Sequence, residues 1–226
     1  MVGPVPAGLR AQRGVSRADI QRTFVEAWPE EVAASALPHS LIELSEAEAR
    51  ALRRAHRRGA DSAPSLGRLA GRVWAKSRAL RETGGVFLRM GYGSWAGPQL
   101  AAFGTLEVTS AQEVLATLAL RDRRLAEIVR RWGQGPAPKL VVRPYIAPGD
   151  VPERRVLVVR GQVERAWLRH QPTEPATPPE NARAIALALG IAAPLTLDFM
   201  AYEGHWRLCD VGPVVDRDAV PPAPAA

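Results

Sequence analysis

The sequence predicts an α+β fold with mostly antiparallel sheets. Two observations and their order carry this. Apolar residues recur at helical spacing through much of the first 130 or so residues. From Lys139 on, short apolar runs rich in β-branched residues are divided by Gly- and Pro-containing turns. Helices come first, then a strand–loop–strand–helix unit, then a β-rich stretch with one helix, the order of an α+β protein. With 226 residues, 46% of them hydrophobic, the chain can bury one large core, or one core and a small appendage.

The first fifteen residues are rich in Pro, Gly and Arg and read as a mobile segment. Residues 16–28, "SRADIQRTFVEAW", read as a helix capped by Ser16. "SEAEARALRRAHRRG" is a clearer one. Ser45 and Glu48 make a capping-box pattern, acids open the helix, arginines close it, and Gly59 stops it. A third helix places Leu66, Leu69, Ala70, Val73, Trp74 and Leu80 on one stripe, with Ser77 among them. "GGVFLRMGYGSWAGP" reads as a strand entering a glycine-rich loop, and "AAFGTLEV" as another strand. "TSAQEVLATLALRDRRLAEIVRRWG" is one helix or two behind a Ser110/Glu113 cap. "KLVVRPYI" is a strand whose Pro144 predicts an edge or a bend. "ERRVLVVRGQVERAWLRHQ" is a hairpin turning at Arg160-Gly161, "PTEPATPPE" a loop and "NARAIALALG" a helix. A last hairpin, "LTLDFMAYEGHWRLCDVGP", precedes a disordered tail. The domain expectation is a mobile segment at 1–15, a helical region at 16–68, one larger domain at 69–214 and a tail at 215–226.

Net charge is +7, the pI about 10.6, and Lys76 and Lys139 are the only lysines. The excess is read either as an arginine-rich solvated surface or as a site for a polyanion. Cys209 is the single cysteine, which excludes an intramolecular disulfide and a cysteine metal cluster. No apolar run reaches eighteen residues and the N-terminus lacks an apolar core, so a soluble cytoplasmic protein is expected.

Three segments carry candidate chemistry. Arg89 ends a strand before Gly91, Gly93, Ser94 and Gly97, a loop whose amides and hydroxyl could approach an anion; a plain hairpin fits as well. Beyond it, one face of the 153–169 hairpin carries Glu153, Arg155 and either Arg165 or Arg169, while Val156, Val158 and Val163 face the core. His170, just after it, reads as a surface residue. The last hairpin holds Asp198 and Asp210 within strands, where Asp is disfavoured. A two-residue turn at Glu203-Gly204 would pair Tyr202 with His205 and put the acids on opposite faces. A three-residue loop would pair Tyr202 with Trp206 and set them opposite each other on one face. The second is the more coherent, because an unpaired buried carboxylate is costly.

The order of these segments resembles the ATP-grasp superfamily, over about residues 70 to 214. The resemblance implies two α+β lobes with a nucleotide cleft between them, and ATP and Mg2+ as ligands. It implies a phosphate role for Arg89, with Gly91, Gly93 and Ser94 in the covering loop and Lys76 as a looser match to a first-lobe lysine. "VVRPYIAPG" looks like the linking strand beside adenine, with Tyr145 and Ile146 near the base. "ERRVLVV" is similar to the family's E-x-R strand, giving Glu153 and Arg155. Asp198 and Asp210 match the two metal acids, and Arg89 and Arg169 would neutralise the transferred phosphoryl group. Two positions depart from the pattern. Gly212 stands where a metal-binding asparagine is usual, and Pro144 where an acidic residue is common.

The function expected is a carboxylate–amine or carboxylate–thiol ligase acting through an acylphosphate on an unidentified carboxylate. The alternative is a nucleotide-binding module that assists assembly of a partner protein, as the superfamily's assembly factor for a eukaryotic translation-initiation complex does. A third reading, an arginine-rich RNA-binding protein, ranks last: aromatics are 6% and show no paired stacking motif. No membrane partner is expected.

Overall fold

The computed structural model describes residues 17–59, 64–81, 84–90, 93–94, 96–132, 139–147, 149–169 and 171–213. In chain order the elements are α1 (Arg17–Arg22), α2 (Glu30–Ala34), β1 (Ser40–Glu43), α3 (Glu46–Arg58), α4 (Pro64–Lys76), β2 (Val86–Met90), β3 (Gly93–Ser94), α5 (Ala96–Phe103), α6 (Ala111–Leu118), α7 (Arg123–Trp132), β4 (Lys139–Pro144), β5 (Glu153–Val159), β6 (Gln162–Leu168), β7 (Gln171–Pro175), α8 (Ala182–Leu189), β8 (Leu195–Tyr202) and β9 (His205–Pro213). The fold is α+β with antiparallel sheets, as the sequence predicts. The chain divides into a continuous unit, residues 38–145, and a split unit, residues 1–37 with 146–226. Ser16, residues 1–15, the tail from 214, Gly91 and His170 lie outside the described residues.

The continuous unit is built on a sheet ordered β1-β4-β2-β3. Its clearest local signal is the α3 cap. The Ser45 hydroxyl accepts from the Glu48 amide at 3.3 Å, and the Glu48 carboxylate accepts from the Ser45 amide at 2.7 Å. Gly59, at φ +87°, ends the helix in a conformation glycine tolerates best. α3 buries Ala51, Leu52, Ala55 and His56, and α4 buries Leu66, Leu69, Ala70 and Val73. Ser77 keeps its place on that stripe because its hydroxyl donates to the Trp74 carbonyl at 2.9 Å.

β4 is an interior strand, not an edge. Its Pro144 is tolerated because pairing with β1 stops at Val142, so on that side no ladder bond is lost. "AAFGTLEV" is not a strand. α5 runs through Phe103, Gly104 turns at φ +70°, and only Val108 bridges, to Val86. Gly97 belongs to the first turn of α5 rather than to a loop. The stretch after Ser110 is two helices. Ser110 accepts from the Glu113 amide at 3.2 Å, while the Glu113 carboxylate reaches back to the Thr109 amide at 2.6 Å.

The split unit holds the sheet β7-β6-β5-β8-β9. The helix expected at 16–28 ends at Arg22. Phe24 is extended, Val25–Ala27 form a 3-10 turn, and Trp28 is extended (ψ 138°), as a residue before proline should be. β7 takes Gln171–Pro175, where a loop was expected; its prolines fit because β7 is an edge. The hairpin at Arg160-Gly161 forms as predicted, both residues at positive φ. α8 buries Ala182, Ile185, Ala186 and Leu189, packs near α2 and β6, and stops at Gly190 (φ +59°). Residues Ser35–Leu37 lie along β9: the Leu37 amide donates to Leu208 at 2.9 Å, and the Leu208 amide to Ser35 at 3.0 Å. No helix among the described residues is long and apolar enough to cross a membrane.

Candidate functional site

β5, β8 and β9 bring Arg155, Asp198 and Asp210 into one cross-strand row: Arg155 pairs with Asp198, and Asp198 with Asp210. Directly opposed residues share a sheet face, so both acids lie on the same side. The route to this register differs from the expected one. The turn has two residues, Glu203 (φ +49°) and Gly204 (φ +77°), and Tyr202 pairs with His205. That turn alone would separate the acids. A β-bulge corrects it: Phe199 pairs with Leu208 but Asp198 with Asp210, leaving Cys209 as the extra residue. The bulge has a sequence signal. Alternation breaks at Leu208-Cys209, two adjacent apolar residues, and both are buried.

Asp198 is 4% exposed and Glu153 7%. Buried carboxylates need partners, and both have them. Arg155 donates to Asp198 through two parallel bonds of 2.6 and 2.7 Å. This fork holds Arg155 above the ordinary arginine pKa. Arg169 donates to Glu153 at 2.8 Å and stands 3.9 Å from Asp198. Burial pulls its pKa down, but Asp198 and Glu153 outweigh that and raise it. Arg169, not Arg165, therefore joins this cluster; Arg165 lies over the Trp167 ring. Asp210 is half-buried and accepts from the Val211 amide at 2.9 Å.

Gly212 follows two residues after Asp210 and pairs with Thr196. A Cβ there would meet only the Thr196 hydroxyl, at 3.5 Å, an ordinary contact. A Cβ at 212 is accommodated and would share the face of Asp210.

Ile146 packs on Leu37, Met200 and Cys209 in the split unit, while Tyr145 closes the continuous unit, its amide donating to Gly85 at 2.9 Å. Arg89 is buried in β2, in register with Ser94 of β3, and Gly93 pairs with Met90. Lys76 is exposed at the end of α4. Arg89, Gly93, Ser94, Lys76 and Tyr145 belong to the continuous unit, and Ile146, Glu153, Arg155, Arg169, Asp198 and Asp210 to the split unit. No group of three or more potential His, Cys, Asp or Glu metal ligands occurs among the described residues.

No family model and no curated protein sequence matches the chain. Solved structures do. In fold, the chain is similar to Cdc123 from Schizosaccharomyces pombe. The TM-score is 0.63 at 13% identity, over 88% of this chain and 86% of that one. A C-terminally truncated Cdc123 from the same organism gives 0.61, again at 13%. D-alanine–D-alanine ligase from Helicobacter pylori gives 0.47 at 10% identity, over 86% of this chain and 51% of that one. At such identities the likeness to Cdc123 concerns the fold alone.

Proposed function

We propose that the protein binds Mg-ATP in the manner of an ATP-grasp domain. The observation that supports this best is the Asp198–Asp210 row, held in register by a bulge and flanked by Arg155 and Arg169. The donor set fits magnesium, which takes hard oxygens, commonly one or two carboxylates, and completes its shell from phosphate and water. When bound, the ion would neutralise phosphate charge.

The chain's own residues then have distinct tasks. Arg155 fixes the orientation of Asp198. Arg169, whose side chain is 40% exposed and tethered to Glu153, can turn spare donors to a phosphoryl oxygen. As a ligase, the protein would pass the γ-phosphoryl group of ATP to a substrate carboxylate with loss of ADP. An amine or thiol would then attack the acyl carbon and release phosphate. The phosphate roles of Arg89, Gly91, Gly93, Ser94 and Lys76, and the adenine role of Tyr145 and Ile146, rest on the resemblance.

A second reading, nucleotide binding without turnover in support of a partner protein, is favoured by Gly212, which offers no side-chain oxygen. A thermal-shift series with ATP or ADP, with and without Mg2+, tests binding: a ligand held by the native state alone stabilises it by about 2.7 kcal/mol at a hundredfold excess over Kd. An Mg2+-dependent rise with ATP supports the proposal, and an unchanged midpoint contradicts it. ADP release with a panel of carboxylates and amines separates the ligase from the second reading.

A further inference from the structure

The positive charge is segregated. Residues 38–145 hold 18 Lys/Arg against 9 Asp/Glu, a net +9; the rest of the chain holds 12 against 14, a net −2. Much of the excess gathers in one place. On α3, residues 50, 53, 54, 57 and 58 are all arginine, the i, i+3, i+4, i+7, i+8 spacing of one helical stripe. The opposite face is the buried one, with Ala51, Leu52, Ala55 and His56. Arg50 is bound to Glu46. Arg54, Arg57 and Arg58 are exposed and Arg53 half-exposed, and among the described residues these four have no ion-pair or hydrogen-bond partner.

The stripe is extended by a second element. The α6–α7 connection is stitched to the end of α3. The His56 ring meets the Leu120 carbonyl at 2.7 Å, and the Asp122 amide donates to the His56 carbonyl at 3.0 Å. This brings Arg121 and Arg123, also exposed and without a partner among the described residues, to the same end of the helix. The acid between them, Asp122, accepts from the Leu125 amide and caps α7.

We propose that the α3 arginine stripe, with Arg121 and Arg123, is a docking surface for the phosphodiester backbone of a nucleic acid. Arginine forks match phosphate oxygens in bidentate fashion. From Arg50 to Arg58 the helix rises about 12 Å, enough to follow several phosphates at about 3.4 Å per strand. The large apolar side chains exposed among the described residues are Leu100, Phe103, Leu115 and Leu187; none lies on α3 or between Leu120 and Arg123. The surface therefore offers nothing to insert into a bilayer. It offers no aromatic platform for unstacked bases either, so contact is with the backbone and independent of sequence. The sparse aromatics that rank RNA binding last bear on base stacking, not on this kind of contact.

The test uses the full chain without nucleotide. Binding to a labelled RNA duplex and to a DNA duplex of the same sequence is measured across a salt series by fluorescence anisotropy. Four to six phosphate contacts predict a log–log salt slope of about −4 to −5. Replacing Arg54, Arg57 and Arg58 together by alanine should flatten that slope by about 3 units. Arg183→Ala, at an exposed arginine of α8, should leave it unchanged. Unfolding midpoints report whether the triple variant folds; a variant that loses its fold is replaced by Arg121→Ala/Arg123→Ala, with a slope change of about 2 expected. A preference for RNA or DNA names the source of the backbone. Failure of both duplexes to bind, equal competition by polyglutamate, preferential binding to phosphatidylserine vesicles, or a slope unaltered in the folded variant would each overturn the proposal. None of these outcomes depends on whether Mg-ATP binds.

Discussion

In the split unit, Arg155 and Arg169 lie against Asp198 and Glu153, acids almost wholly removed from water. In the continuous unit, Arg54, Arg57 and Arg58 stand in solvent with no acid beside them among the described residues. The same side chain is thus used in two ways. Where it neutralises a buried acid it is part of the fold, and its removal strands a charge. Where it is solvated and unpaired it contributes little to stability and is free to meet an anion. The net charge of the chain hides this division.

The largest expected effect tests the buried side. Arg155→Ala leaves Asp198 without its fork and should cost about 3 kcal/mol in urea unfolding. A loss below about 1 kcal/mol would show that the pair is as weak as a surface ion pair and erase the contrast.

The next tests the joint under the exposed arginines. Burial lowers the pKa of His56, so the native state resists a proton that the unfolded chain accepts. Below pH about 6.5 the unfolded state binds more protons, and stability should fall with pH by at most about 1.4 kcal/mol per unit. Comparing denaturant midpoints at neutral and mildly acidic pH, for the wild type and His56→Gln, isolates that slope. A slope that survives in the variant belongs to other groups.

Smaller still, Ser45→Ala removes the α3 cap and should cost about 1 kcal/mol. At the bottom of the scale, Arg57→Ala should change stability by less than about 0.5 kcal/mol. A large loss there would mean that the stripe is structural after all.

What could be read in advance follows the range of the interactions. The Ser45/Glu48 cap, the Arg160-Gly161 turn and the Leu66, Leu69, Ala70 and Val73 part of the α4 stripe are set within a few residues, and the sequence shows them; Leu80 falls off that stripe because α4 ends at Lys76 and Arg78–Arg81 form a 3-10 turn. The E-x-R strand and the two acids were visible as residue types. Their partners were not, since Arg155 and Asp198 are 43 residues apart and meet only through the β5–β8 register. The acid row was expected for the wrong local reason. A two-residue turn plus a bulge at Cys209 does what a three-residue loop was expected to do. Pro144 misled for a related reason: a proline excludes a partner only beside its own nitrogen, and pairing with β1 stops at Val142, before Pro144 is reached. The docking of the α6–α7 connection onto His56 is a tertiary contact across 64 residues, with no local trace.

Gly212 offers a gain-of-function check. Gly212→Asn adds an oxygen on the face of Asp210 at a position where a Cβ makes only an ordinary contact, and should tighten Mg2+-dependent ATP binding.

Whether Asp198 and Asp210 together hold the metal of Mg-ATP is decided by calorimetric titration of ATP, with and without Mg2+, into the wild type and Asp210→Asn. This substitution leaves the Arg155–Asp198 fork in place. Shared ligation requires Mg2+-dependent binding in the wild type and at least about a tenfold loss in the variant, some 1.4 kcal/mol. Equal Mg-ATP affinity in the two proteins would contradict it.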